Sequence, residues 1–141
     1  MWIDSSFPGL KTQGYLVTSG STDTYNCIAY AAGDQTSWWS HAPGYHWPNA
    51  ARTPSIESLV EVFAGLGYER CDDANEEVGF EKVALYEKYQ RWTHAARQLP
   101  GGAWSSKLGP DEDIRHPNPE SLCGTMYGIV YCIMRRQQSG T

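Results

Sequence analysis

Three short extended stretches in succession, KVALYE (82–87), WTHAARQL (92–99) and AWSSKLG (103–109), leave this chain few ways to fold. The first two are separated by the polar stretch Lys88 to Arg91 and the last two by the turn signal PGGA, links that can only reverse the chain. An antiparallel meander follows. Ahead of it, Thr53-Pro54 reads as a cap followed by a first-turn proline, and Ile56, Leu59, Val60, Phe63 and Leu66 then recur at helical spacing before Gly65 and Gly67. TYNCIAYAAGD predicts a second, shorter and buried helix over about 25–32, with Ser21, Thr22, Asp23 and Thr24 ahead of it as caps. The expected class is therefore α+β, with N-terminal helices packed on a small antiparallel β-sheet. At 141 residues the chain is about one domain, large enough for a core without a disulfide or metal staple. Residues 1–23 read as an extended lead-in held by Trp2, Phe7 and Tyr15, and 35–53 as a long loop. Tyr68 to Cys71 fits a short strand and PNPESL a turn or short helix. YGIVYCIM fits a closing strand, although a short buried helix would look the same.

Charge and composition exclude several function classes. Seven acidic side chains against Arg70 and Lys82 give residues 69–87 a charge of −5, the whole chain's net value. The later basic residues are interleaved with Asp111, Glu112, Asp113 and Glu120, so there is no basic stripe for nucleic acid. No apolar run approaches the roughly 20 residues of a membrane helix, and MWIDSSFPGLKTQG lacks the pattern of a secretory signal. The expected location is cytoplasmic unless export uses a signal-less route. Cys27, Cys71, Cys123 and Cys132 form no C-x-x-C pair and have no ligand-spaced histidine, so free thiols are expected rather than a zinc site.

The order of elements has chemical meaning. Cys27 falls in the first turn of a helix, where the positive helix end favours a thiolate, the nucleophilic form of cysteine. His94 lies on a following strand, where an imidazole can take the thiol proton and later return it to a leaving group. A third polar group usually orients that ring, and the adjacent stretch supplies Ser105 and Ser106, which point to opposite faces of a strand.

The sequence YNCIAYA, THAARQL and WSSKLG, in that order, resembles the papain-like cysteine hydrolase superfamily, with its compact bacterial cell-wall peptidase and acyltransferase branches nearest in length. The resemblance spans roughly residues 24–109 and implies a papain-like fold and a cysteine-dependent hydrolase or acyl-transfer enzyme acting on a peptide, protein or acyl-amide substrate. Carried onto this chain, Cys27 attacks, His94 is base and then acid, and Ser106 orients. The backbone N–H of Cys27 with Asn26 or Tyr25 holds the oxyanion, and neither cofactor nor metal is required. A bacterial effector or toxin would fit the same architecture. Three departures matter. Compact members often place the base histidine at the opening of the first paired strand, where this chain has Glu81-Lys82, and in that alignment His94 falls on the orienting position and no base remains, as in a degenerate or differently wired site. WSSKLG offers Ser where papain-type enzymes carry the orienting Asn, and the upstream glutamine of papain-type oxyanion holes is missing.

Other residues carry paired expectations. Trp38, Trp39, Trp47 and Trp104 would line a substrate cleft or anchor loops. In a different class of function, a non-catalytic interaction domain would bind its partner through the aromatic loop 38–47. His41 and His46 could ligate a metal together with Cys71, which would make a small zinc protein the third class of function, and His116 is either a partner behind the catalytic residues or an exposed or cap-bound side chain. The turn DDANEE lacks calcium-loop spacing and reads as solvated surface.

Overall fold

The computed structural model describes residues 2–48, 50–108 and 110–138. Asn49 in the long loop and Gly109 at the end of AWSSKLG lie outside them. Helices α1 (Trp2–Ser6), α2 (Pro8–Gln13), α3 (Cys27–Ala31) and α4 (Ile56–Gly65) accompany strands β1 (Leu16–Ser19), β2 (Glu69–Cys71), β3 (Phe80–Lys88), β4 (Arg91–Gln98), β5 (Trp104–Lys107), β6 (Asp113–His116) and β7 (Ile129–Gln137). The strands form one seven-stranded sheet, ordered β1-β6-β5-β4-β3-β7-β2, in which every pairing is antiparallel. The molecule is thus a mixed α/β protein with few, short helices. Among the described residues no helix is long and apolar enough to cross a membrane.

The meander β3-β4-β5 forms where the alternating stretches predict it. Its first turn is Tyr89-Gln90, with left-handed φ of 55° and 67°, the geometry of a two-residue hairpin loop. The apolar run at the C-terminus is a strand, and it enters the sheet between β3 and β2 rather than closing an edge. Alternation along β3 and β4 then divides the core. Val83, Leu85 and Ala95 pack with α3, α4 and Met134, whereas Ala84, Tyr86 and Ala96 pack with Ile3, Phe7, Leu10, Trp104, Ile114 and Leu122 on the other face. Burying Ile56, Leu59, Val62 and Phe63 of α4 contributes roughly 1.5–3 kcal/mol each.

Several local expectations need correction. The lead-in is not simply extended: Ile3, Phe7 and Leu10 are buried by two short helices, and only Leu16–Ser19 is a strand. Asn26, not the preceding Ser/Thr/Asp run, caps α3, and Ser55 caps α4, one residue after the proline. The acidic stretch is not merely solvated. Lys82, 3% exposed, reaches Asp73 and Glu77, while Arg135 and Arg136 of β7 pair with Glu69, Glu77 and Glu81. Strand β6 went unanticipated because DIRH is too short and polar to show a period.

Candidate functional site

Cys27 opens α3, and its position is set by Asn26. The Asn26 amide oxygen accepts the Ala29 N–H at 3.1 Å and the Trp39 N–H at 3.2 Å, while its Nδ2 donates to the Trp39 carbonyl at 2.6 Å. The helix start and the aromatic loop are thereby locked together. The Cys27 thiol is buried against backbone N–H groups of Ala95, Ile28 and Cys27 itself, with the Lys107 ammonium nearby. Burial outweighs all of these and pushes the thiol up to about 11. The acidified thiol expected of a helix start is therefore not found, because a five-residue helix offers little dipole against complete desolvation.

His94 sits on the other face of β4, with no exposed surface. Its ring stacks on Tyr127, centroids 4.2 Å apart and planes within 7°, and meets Tyr86 edge-on at 5.1 Å. Its Nε2 lies 3.0 Å from Ser106 Oγ, which lies 2.8 Å from His116 Nε2. The proton positions follow from the far end of this chain. His116 Nδ1 faces the Asn118 carbonyl at 2.9 Å, an acceptor only, so Nδ1 carries the hydrogen. Ser121 Oγ, 3.2 Å from Nδ1, gives its own proton to the same carbonyl at 2.7 Å. Burial pushes His116 down to about 4 and His94 well below the ordinary imidazole range, with the neighbouring His116 lowering His94 further. Both rings are neutral near pH 7. His116 Nε2 must then accept the Ser106 O–H, and Ser106 accepts from His94 Nε2–H. His94 Nδ1 remains as a bare, buried lone pair with no hydrogen-bond partner among the described residues.

The strands bearing these groups part at this point. The β4–β5 ladder consists of Arg97–Ser105 and Gln98–Trp104, and the side-chain bond from His94 to Ser106 continues where backbone pairing stops. Cys27 approaches through the N–H of Ala95, the residue after His94, but packs with the α3–α4 cluster. No Cys27–His94 hydrogen bond is formed. The structure thus joins His94 to Ser106 directly and leaves the thiol one peptide link away.

The remaining candidates fall elsewhere. Ser105 faces α3 and shares a 2.6 Å hydrogen bond with the Tyr30 hydroxyl, which settles which serine meets His94. Asn26 has both side-chain groups committed to the cap, and the Tyr25 hydroxyl donates to Asp113 at 2.9 Å, so neither side chain is available as an oxyanion donor. Trp39, Trp47 and Trp104 are 5%, 4% and 1% exposed and face the interior rather than a cleft. Trp39 Nε1 donates to Asp34 and Trp47 Nε1 to Ser58, both at 2.8 Å, so these two anchor the loop; Trp38 is half-buried. His46 packs on Trp39, and His41 on Trp47 and Trp92. Among the described residues no group of three acidic, His or Cys side chains could hold a metal. Glu81 and Lys82 are held in ion pairs, so that strand opening offers no base.

Residues that sequence reasoning missed include Lys107 and Tyr127. The Lys107 side chain is fully buried, donates to the Asp111 carbonyl, lies 4.0 Å from Asp113 Oδ1 and crosses the Tyr25 ring at 5.4 Å. The only sequence signal was a lysine closing a short strand-like stretch, and in β5 all four positions are buried. Tyr127 reaches His94 from a tight reversal in which Gly124 and Gly128 exchange backbone hydrogen bonds of 2.9 and 2.8 Å. Gly128 has φ of 77°, and a Cβ there would collide with the Glu87 carbonyl, so glycine is required.

A family model described as a domain of unknown function (DUF7689) matches residues 16–135, and the chain belongs to that family. No curated protein and no solved structure matches the chain.

Proposed function

We propose that this member of the DUF7689 family is a cysteine-dependent hydrolase or acyl-transfer enzyme of papain-like arrangement, acting on a peptide, protein or related acyl-amide bond. Cys27 is its nucleophile, His94 its base and Ser106 the group that orients the base. The observation that carries this reading is the bonding of His94: Nε2 is tied to Ser106, and Nδ1, the nitrogen left bare, belongs to the residue beside the N–H that meets the thiol.

The chemistry runs from a neutral resting pair. When substrate approaches, the Cys27 thiol loses its proton to His94 Nδ1 through a bridging water, since the two side chains leave opposite faces of β4 and share no hydrogen bond. The sulfur bonds to the substrate's carbonyl carbon, placing the electron pair of the C=O on oxygen. The N–H groups of Cys27, Ile28 and Ala95 that surround the thiol are the donors available to that anionic centre. Collapse of the intermediate breaks the C–N bond, the leaving amine takes the His94 proton, and a thioester remains on Cys27. Water, deprotonated by His94, or an acceptor amine then releases the acyl group and restores the thiol.

The test is intact-mass detection of a thioester. Incubation with a panel of activated acyl esters and short peptide amides should yield a +acyl adduct mapped to Cys27, absent in Cys27→Ala and at least about 100-fold slower in His94→Gln, within the range for losing a general base. Adduct formation that persists in Cys27→Ala, or is indifferent to His94, overturns the proposal.

A further inference from the structure

Resting on that reading, we infer that His116 is the positioning residue of the site, and that it decides which nitrogen of His94 is the base. Serine is an ambiguous orienter because its hydroxyl can donate or accept. Had Ser106 donated to His94 Nε2, that nitrogen would be bare, Nδ1 would carry the hydrogen, and the nitrogen left without a partner would be an acid rather than a base.

His116 removes the ambiguity. Its Nδ1–H is fixed by the Asn118 carbonyl at 2.9 Å, and that carbonyl also takes the Ser121 proton at 2.7 Å. His116 Nε2 is thus an acceptor, it draws the Ser106 O–H at 2.8 Å, and the serine oxygen is left to accept from His94 at 3.0 Å. Every hydrogen bond from the Pro119–Leu122 turn to His94 points one way. Asn118 also caps that turn by accepting the Ser121 N–H at 2.9 Å, so the direction is set by backbone geometry that does not titrate. Among the described residues, the aromatic and hydrogen-bonded neighbours of His94 are Tyr86, Tyr127, Ser106 and, through Ser106, His116, and none of these is a carboxylic acid that could hold an imidazolium at rest.

Long-range ¹H–¹⁵N correlation of the histidine rings tests this without any substrate. In the wild-type protein at pH 7.5, His94 should be the Nε2–H tautomer and His116 the Nδ1–H tautomer; His94 found as Nδ1–H overturns the inference before any variant is made. In His116→Phe, which lacks the acceptor, Ser106 turns to donate and His94 should switch to Nδ1–H, whereas His116→Gln, whose amide oxygen can accept, should restore Nε2–H. An unchanged His94 tautomer in folded His116→Phe also overturns it, because a purely structural histidine would not move that signal. Alkylation of Cys27 separates this inference from its premise. A tautomer switch with at least tenfold slower alkylation supports both, and a switch with unchanged alkylation keeps the role of His116 while removing the Cys27–His94 pairing.

Discussion

Ser106 shows how far one side chain's role depends on its neighbours. Nothing in WSSKLG distinguishes it from Ser105, since strand alternation sends the two to opposite faces and sequence does not say which face holds the histidine. The structure distinguishes them by partner: Tyr30 for Ser105, His94 and His116 for Ser106. That a serine of WSSKLG would meet His94 was legible from the order of the strands, whereas Cys27 packs with the α3–α4 cluster and makes no hydrogen bond to His94. The state of the thiol was not legible, because desolvation depends on everything packed around it. Ser106→Ala removes the acceptor of a buried ring N–H and the donor to a buried ring nitrogen. It should cost about 2–6 kcal/mol of stability in a urea titration, from the usual 1–3 kcal/mol for each of the two orphaned groups. A loss below about 0.5 kcal/mol would show that the relay is not formed in solution.

Among the elements, α3 is held by its cap more than by its own propensity. Five residues are too few for a self-sustaining helix, so the buried apolar face and Asn26 carry it. The sequence pattern showed a buried helix but pointed to the wrong cap, because four good capping residues stand just upstream and only the contact with Trp39, 13 positions on, selects Asn26. Asn26→Ala should cost about 2–4 kcal/mol, a cap plus the unpaired Trp39 N–H, and should raise the susceptibility of the loop to proteolysis. Asn26→Asp keeps the acceptor but loses the donor to the Trp39 carbonyl, so its loss should be smaller. Equal losses in a urea titration would contradict the account of the cap. The β3-β4-β5 meander, by contrast, was fully legible, since alternation and turn residues act locally. The place of β7 between β3 and β2 was not, because sheet order is set by long-range burial that no local pattern records.

For the whole molecule, two buried neutral histidines on one face of the sheet make stability depend on acid. An unfolded histidine takes a proton below its ordinary value of 6.5, while folded His116 takes one only near 4, so the unfolded state binds more protons across that window. Stability should therefore be complete above pH 6.5 and fall as pH drops towards 4, by about 3 kcal/mol from His116 alone. His94, also lowered, adds to the fall in the same direction. Urea titrations from pH 7.5 to 4.5 should show this slope, flattened in His116→Gln; the same slope in that variant would assign the acid sensitivity to other groups. At alkaline pH the sign reverses its direction of effect. The raised Cys27 value means that stability is lost above the thiol's ordinary range near 9, and Cys27→Ala should reduce that loss without removing it, because burial pushes Cys132 up to about 11 as well.

The pairing of Cys27 with His94 is tested most directly by the rate at which iodoacetamide labels Cys27 in the folded protein at pH 7.5, mapped by mass spectrometry and compared with His94→Gln, which retains a donor for Ser106 but no base. A neutral, buried thiol should react only with help, so labelling should be at least tenfold slower in the variant while unfolding rates stay matched. Equal labelling in both proteins, at a rate that tracks global unfolding, would make Cys27 a core thiol and His94 a structural histidine.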